Sequence, residues 1–240
     1  ANTVLEGIET NKDYVREILY SDAMQSGAMT TRFLNGFQHS PTTVDILAAG
    51  TMTTLQDYPA RIGYWNIGVP PSGPFDNLAF RLGNRLLGND DTCAGLEITL
   101  NGPTLRFNCD THIALTGADM HATLDGAALT FATTHAVKSG QTLYLGKVHG
   151  AGARSYLCIA GGIQCEPYLG SKSTFTLGQF GGHGGRALRT GDVLHLAAPL
   201  KQVQPKTLPS ALRPAIQNQW ELHVIYGPHG APDFFTPQDI

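Results

Sequence analysis

A mainly β fold with one internal helix, preceded by a short helical tail, is predicted from three observations. Charged residues are only 15% of the chain, against roughly 25% in an average domain, while glycine reaches 28 copies. From residue 44 onward, short apolar runs alternate with Gly, Pro, Asn and Asp. Between Asp76 and Gly88, leucines recur at i, i+4 and i+8, the signature of a helix. At 240 residues and 42% hydrophobic content, the chain is long and apolar enough for one large core.

In chain order, residues 1–43 come first. Tyr14, Val15, Ile18 and Leu19 fall on one helical face, with Thr10 and Asp13 as a weak capping box. A shorter helical piece at residues 22–25 stops at Gly27. This segment is too small to bury a core of its own, so it reads as the end of another domain. Strands follow in VDILAAG, TMTTLQ, LEITL, PTLRF, HIALTG, TLYLG, SYLCIAGG, DVLHLAA and ELHVIY. Turn signals NGP (101–103), LDGAAL (124–129) and RTGDV (189–193) separate them, as in a barrel or sandwich. For the internal helix, Asp76 is the expected N-cap and Gly88 the expected C′ residue, with Arg81 and Arg85 on its solvated side. Residues 201–219 read as an extended connection, and Thr236-Pro237 as the start of a further helix. Both ends look cut, and the chain is expected to be a fragment of something longer.

Several function classes are set aside. A net charge of −3 gives no electrostatic footprint for nucleic acid or an anionic membrane. No apolar run is long enough to span a bilayer, and residues 1–25 lack a signal-peptide pattern. Cys93, Cys109, Cys158 and Cys165 form no C-x-x-C pair and sit mostly in apolar runs, so reduced thiols in a cytoplasmic protein are expected. The nine histidines show no ligand spacing, so no metal site is expected. GSKST (170–174) lacks the P-loop spacing, and GGHGGR (181–186) lacks a dinucleotide-binding context.

The chemistry concentrates in LQDYPARIGYWNIGVPPSGPFD, residues 55–76. Pro59, Pro70, Pro71 and Pro74 fix φ, while Gly68 and Gly73 permit φ > 0 and a close approach of backbone or ligand. The segment is pre-organised and carries Gln56, Asp57, Arg61, Ser72 and Asp76. Asp76 reads as a helix cap or as a ligand contact; Arg61 as an ion-pair partner or as a substrate donor. Ser72 lacks the G-x-S-x-G context of a nucleophile. Glu97, in an apolar strand, needs a partner, for which Arg61 and Arg106 are candidates; Glu97 and Asn101 are also candidate substrate contacts.

At these residues the chain resembles a known family. LQDYPARIGYWNIGVPPSGPFDNLAFRLGNRLLGN, GLEITLNGPTLRF, IAGGI, GSKSTFTLGQFGGHGGRALRTGD and IYGPHGAPDFFT look like the carboxyltransferase domain of urea carboxylases. The same domain, of the allophanate hydrolase subunit 2-like family, occurs in urea amidolyases and in a bacterial 5-oxoprolinase subunit. GIETNKDYVREILYSDAMQSGAMTTRFL resembles the C-terminal end of a biotin carboxylase domain, so residues 1–43 would be its tail and 44–240 the N-terminal part of the carboxyltransferase domain. Two departures stand out: Ala60 replaces the glycine of Q-D-Y-P-G-R, and Phe75 replaces a methionine. Ala60 strains the turn if its φ is positive.

The resemblance implies an incomplete cyclophilin-like β-barrel and a ligase reaction of nitrogen metabolism. ATP and Mg2+ are used by the biotin carboxylase domain, and a carrier domain of the same polypeptide brings biotin. The carboxyl group then passes to a urea nitrogen, giving allophanate. Such a site needs acceptors for urea N–H groups and donors for the oxygens on which charge develops. Arg61, Ser72 and Asp76 are the expected catalytic residues. Gln56, Asp57, Gly73 (through nearby backbone N–H groups), Glu97 and Asn101 are the expected substrate contacts. No biotin attachment motif occurs, so the chain alone is expected to lack the complete activity. Guanidine as the substrate, a 5-oxoprolinase component and a non-catalytic β-barrel binding module are the competing readings.

Overall fold

The computed structural model describes residues 10–37, 39, 41–198, 202–225, 234–236, 238 and 239. Its helices are α1 Lys12–Tyr20, α2 Asp22–Gln25 and α3 Asn77–Leu86. Its strands are β1 Thr43–Ala48, β2 Met52–Gln56, β3 Gly95–Thr99, β4 Thr104–Phe107, β5 Thr111–Gly117, β6 Thr123–Leu124, β7 Ala127–Ala128, β8 Thr134–Val137, β9 Thr142–Tyr144, β10 Arg154–Ile159 and β11 Val193–His195. No helix among the described residues is long and apolar enough to cross a membrane.

The strands form two antiparallel sheets, ordered β11-β1-β4-β9-β6-β7 and β2-β3-β10-β5-β8. One apolar core joins them: Val44, Ile46, Leu105, Phe107 and Leu143 from the first pack with Leu55, Leu96, Ile98, Leu115, Leu157 and Ile159 from the second. Period-two alternation sends the intervening residues of the second sheet to its other face. There Ala114, Tyr156 and Cys158 receive Ala79, Phe80, Leu86 and Leu87 of α3 and its C-cap. Phe80 is fully buried and meets Tyr156 edge-on, with centroids 5.9 Å apart; burial of such a ring stabilises by about 1.5–3 kcal/mol. The architecture is therefore sheet, core, sheet, helix.

Asp76 caps α3 by accepting a hydrogen bond from Ala79 N at 2.9 Å. Gly88, at φ 72°, ends it, with Gly88 N bonded to Arg85 O and Asn89 N to Asn84 O, a Schellman arrangement. The buried stripe is rotated from the leucine diagonal: Leu78 is 52% exposed, while Ala79, Phe80, Gly83 and Asn84 lie against the sheet. Small residues at 79 and 83 let the helix axis approach closely.

Other elements depart from expectation. At α1 the N-cap is Asn11 rather than Thr10, with no side-chain cap bond among the described residues. The tail's rings pack on one another, Tyr14 with Phe37 at 5.7 Å, and leave Tyr20 74% exposed. LDGAAL is the β6–β7 hairpin rather than a bare turn. Residues 221–225, expected as a strand, pair with nothing among the described residues. Residues 226–233 and Pro237, part of the IYGPHGAPDFFT motif and of the last expected helix, lie outside the described residues.

Candidate functional site

The outer face of the second sheet carries a buried polar row. Its register aligns Thr54 with Glu97, Glu97 with Tyr156, and Tyr156 with Thr116. These side chains, with Gln56, hold the proline-rich segment. Gly73 N donates to Gln56 Oε1 at 3.1 Å, Phe75 N to Glu97 Oε2 at 2.6 Å and Asp76 N to the Tyr156 hydroxyl at 2.7 Å. Pro74 has no N–H, so every backbone donor from residue 73 to 76 ends on a buried side chain. The Tyr156 hydroxyl donates in turn to Glu97 Oε2 at 2.9 Å. Burial and the neighbouring Glu97 push its pKa far up, so the phenol keeps the proton it donates. Thr116 Oγ1 donates to Ala79 O, tying the first turn of α3 to the same row.

A second clasp ties this wall to residues 168–185. Asp57 Oδ1 accepts from Ser171 Oγ and Ser173 Oγ, both at 2.6 Å, and Oδ2 from Lys172 N at 2.8 Å. The GSKST turn is thus the partner of Asp57. Arg61, 1% exposed, donates from Nε to Tyr168 O at 3.1 Å and from Nη2 to Ser173 O at 2.9 Å, beneath the Phe180 ring. Its Nη1 has no hydrogen-bond partner among the described residues. Burial lowers the pKa of its guanidinium, opposed by Asp57 and Tyr168.

The structure brings Gln56, Asp57, Arg61, Ser72, Gly73, Asp76 and Glu97 into one wall. Asn101 is not in it: it follows β3 at the end away from Gln56, with Nδ2 bonded to Thr51 Oγ1. The N–H of Gly73, expected to face a ligand, is taken by Gln56. The nearest cation to Glu97 is neither Arg61 nor Arg106 but Arg154, 3.6 Å from Oε1; Arg106 holds Asp45 instead. Ser72 is half-buried at φ 60°, and its hydroxyl has no partner among the described residues. Ala60 has φ 72°, so its turn is strained as the missing glycine foretold.

The wall borders a cleft of about 650 Å³, lined by Phe75, Asp76, Arg154, Trp220 and Glu221 among others. A smaller pocket of about 130 Å³, floored by Ala79, Leu82 and Phe131, joins it at Asp76, Pro214 and Ile216. Asp76 stands at the junction, at the N-terminus of α3. Sequence reasoning overlooked Tyr156 and Arg154. The legible signal was an aromatic hydroxyl and a cation in a strand whose alternation sends Leu157 and Ile159 to the core.

Comparison with known proteins bears on this geometry. Urea amidolyase of Saccharomyces cerevisiae is 46% identical over 244 residues, covering 99% of this chain and 13% of that protein. A 5-oxoprolinase subunit of Escherichia coli is 42% identical over 149 residues, 62% of this chain and 47% of that protein. The crystal structure of Kluyveromyces lactis urea carboxylase matches with a TM-score of 0.87 at 42% identity, over 95% of this chain and 21% of that one. The chain therefore spans only a small part of the long relatives it matches. Residues 67–240 fit the model of the carboxyltransferase domain, subdomains A and B. With the two-sheet fold and the motifs of the proline-rich wall in agreement, the chain belongs to the carboxyltransferase domain family.

Proposed function

We propose that this chain is the carboxyltransferase portion of a cytoplasmic, biotin-dependent urea carboxylase, a ligase that forms a C–N bond and yields allophanate. The observation that carries the reading is the extent of the match to urea amidolyase, 99% of the chain and so including the tail. The match to the bacterial 5-oxoprolinase protein takes in 62%. In this reading residues 1–43 end a biotin carboxylase domain that uses ATP and Mg2+, and a carrier domain of the same polypeptide brings biotin.

The cleft suits such a group. Its volume lies within the range of about 300–1,000 Å³ usual for small-molecule sites, and Phe75 and Trp220 offer flat apolar surface. Bound biotin supplies the carboxyl group; the residues of this chain bind and orient. Urea is a feeble nucleophile, and its nitrogen must lose a proton as it attacks. Asp76 accepts a urea N–H and fixes the nitrogen's direction, while Ser72, which lines neither pocket, acts with the segment that positions Asp76. Gln56, Glu97 and Gly73 act through the wall, as positioning residues for Asp76. Asp57 and Arg61 hold the 168–185 loop against it. Asn101 stays outside the cleft.

The test is urea-dependent ATP hydrolysis by the complete protein, with bicarbonate present and guanidine run in parallel. Asp76→Asn keeps a competent helix cap yet removes the charged acceptor, and is expected to lower kcat on the order of a hundredfold. Turnover that needs guanidine rather than urea would replace the substrate. Wild-type kcat in Asp76→Asn would remove this wall from the site.

A further inference from the structure

We propose that Arg154 is the anion-binding residue of the cleft, which takes a small ligand with a planar carboxylate at one end and N–H donors at the other. The proposal rests on the carboxyl-transfer reading in one respect, that an amide-bearing carboxylate is the product class; its structural basis is separate.

That basis is the state of the guanidinium. Three other arginines grip carboxylates: Arg81 and Arg85 converge on Asp91, and Arg186 holds Asp192 with two bonds of 2.7 and 2.8 Å. Arg154 differs. Its guanidinium makes one hydrogen bond among the described residues, a long one of 3.4 Å from Nη1 to the carbonyl of its own neighbour Ala153. Its Nε is buried and has no hydrogen-bond partner among the described residues. Glu97 Oε1 stands 3.6 Å away, near enough to balance charge and too far to accept a good hydrogen bond. Oε2 of the same carboxylate is already shared by Phe75 N and the Tyr156 hydroxyl. Among the described residues Arg154 therefore keeps most of its Nη donors unused while lining the cleft with its side chain 28% exposed.

A planar fork with open donors is matched by a carboxylate. The Phe75 ring, 81% exposed, lies 5.5 Å from the guanidinium and bounds the space above it. Of the acids near it, Glu221 on the far side of the cleft is 86% exposed to solvent, with His223 3.6 Å away, while Glu97 and Asp76 are each answered by their own donors. Glu97 receives two hydrogen bonds, and Asp76 sits at the positive end of α3 with Ala79 N bonded to it. Asp76 lines the same cleft and offers the acceptor for the N–H end of the ligand. Glu97 acts through Arg154, as its positioning residue.

The probe is malonamate, an amide and a carboxylate joined through one CH2, compared with malonamide, its neutral counterpart of the same shape. Binding of both to the complete protein is measured by isothermal titration calorimetry. Wild type is expected to prefer malonamate by about tenfold or more, and Arg154→Met to abolish that preference while leaving malonamide within about twofold. Arg154→Lys, which keeps the charge and loses the fork, should fall between them. Preference for malonamate that survives in Arg154→Met, equal weakening of both probes, or no preference in wild type overturns the proposal. Should Arg154→Met fail to fold, unchanged malonamate affinity in Arg154→Lys overturns it. Urea-dependent ATP hydrolysis by wild type separates the two readings: its absence together with an Arg154-dependent preference retires urea and leaves the anion site standing.

Discussion

A Cβ added at Gly73 would lie 2.5 Å from the Cβ of Ala60, and both residues hold positive φ, 86° and 72°. Gly73→Ala therefore meets two penalties, about 1–2 kcal/mol for an L-residue in the left-handed region and the overlap with Ala60. We expect equilibrium denaturation to show a loss of about 3 kcal/mol, within the range of backbone and overpacking effects. Ala60→Gly by itself should be nearly neutral. It relieves the strain at residue 60 but gives up a buried methyl worth about 0.8 kcal/mol and loosens the unfolded chain by about 0.4–1 kcal/mol. In the double variant the overlap disappears and the left-handed cost at residue 73 remains, so the pair should couple favourably by about 1 kcal/mol or more. Strict additivity would show that the two residues do not face each other in solution. At this scale the sequence was partly legible. It marked Gly73 as a residue permitting φ > 0 and Ala60 as the odd residue of its motif. Their contact, like that of Glu97 with Tyr156 and Arg154, joins positions far apart in the chain, and no local pattern records it.

Elements were legible where periodicity had a partner to act on. The runs leading to β1–β5 and β9–β11 each carry apolar residues on a face that one sheet buries against the other. The two-residue strands β6 and β7 are too short to carry a period, and β8 sits in a run that alternates only weakly. ELHVIY alternates well, yet its residues 221–225 lack a strand neighbour among the described residues, because a strand pattern specifies a face and not the sheet that will cover it. One connection can be tested by pH. Before β11, Arg186 holds Asp192 bidentately, and Asp192 O and Gly191 N bond to Ile46 of β1. Chiefly through Arg186, the Asp192 carboxyl is lowered to about 2, with its side chain 11% exposed. A carboxyl depressed in the folded state stabilises above its unfolded value of about 3.9 and loses that contribution as pH falls through the folded value. Unfolding free energy should thus drop by about 2 kcal/mol between roughly pH 4 and pH 2 on this account alone. Asp192→Asn, less stable at neutral pH, should show a correspondingly shallower acid limb. An unchanged limb would mean that the clamp is open in solution.

At the scale of the molecule, the core is built from Leu, Ile, Val and Phe, and neither of the two tryptophans enters it. Trp65, beside the proline-rich wall, and Trp220, on the far side of the cleft, are each 76% exposed. Leu222, Val224 and Ile225 beyond Trp220 are 84%, 85% and 95% exposed, so the outer side of the cleft presents apolar side chains to solvent. Apolar area left uncovered in this way marks a surface that other protein or a ligand covers. Fluorescence should then be nearly blind to folding. The native emission maximum of the 240-residue chain should lie close to that of the denatured chain, with acrylamide quenching both tryptophans freely, while circular dichroism reports a cooperative transition. Trp65→Phe isolates Trp220, which borders the cleft and should shift to the blue and become shielded in any longer chain that packs against residues 214–225. A Trp220 signal already blue-shifted and shielded in the 240-residue chain would seat the indole on the body of the fold. The cleft would then be closed by its own outer segment, and the open wall on which both functional proposals depend would have to be given up.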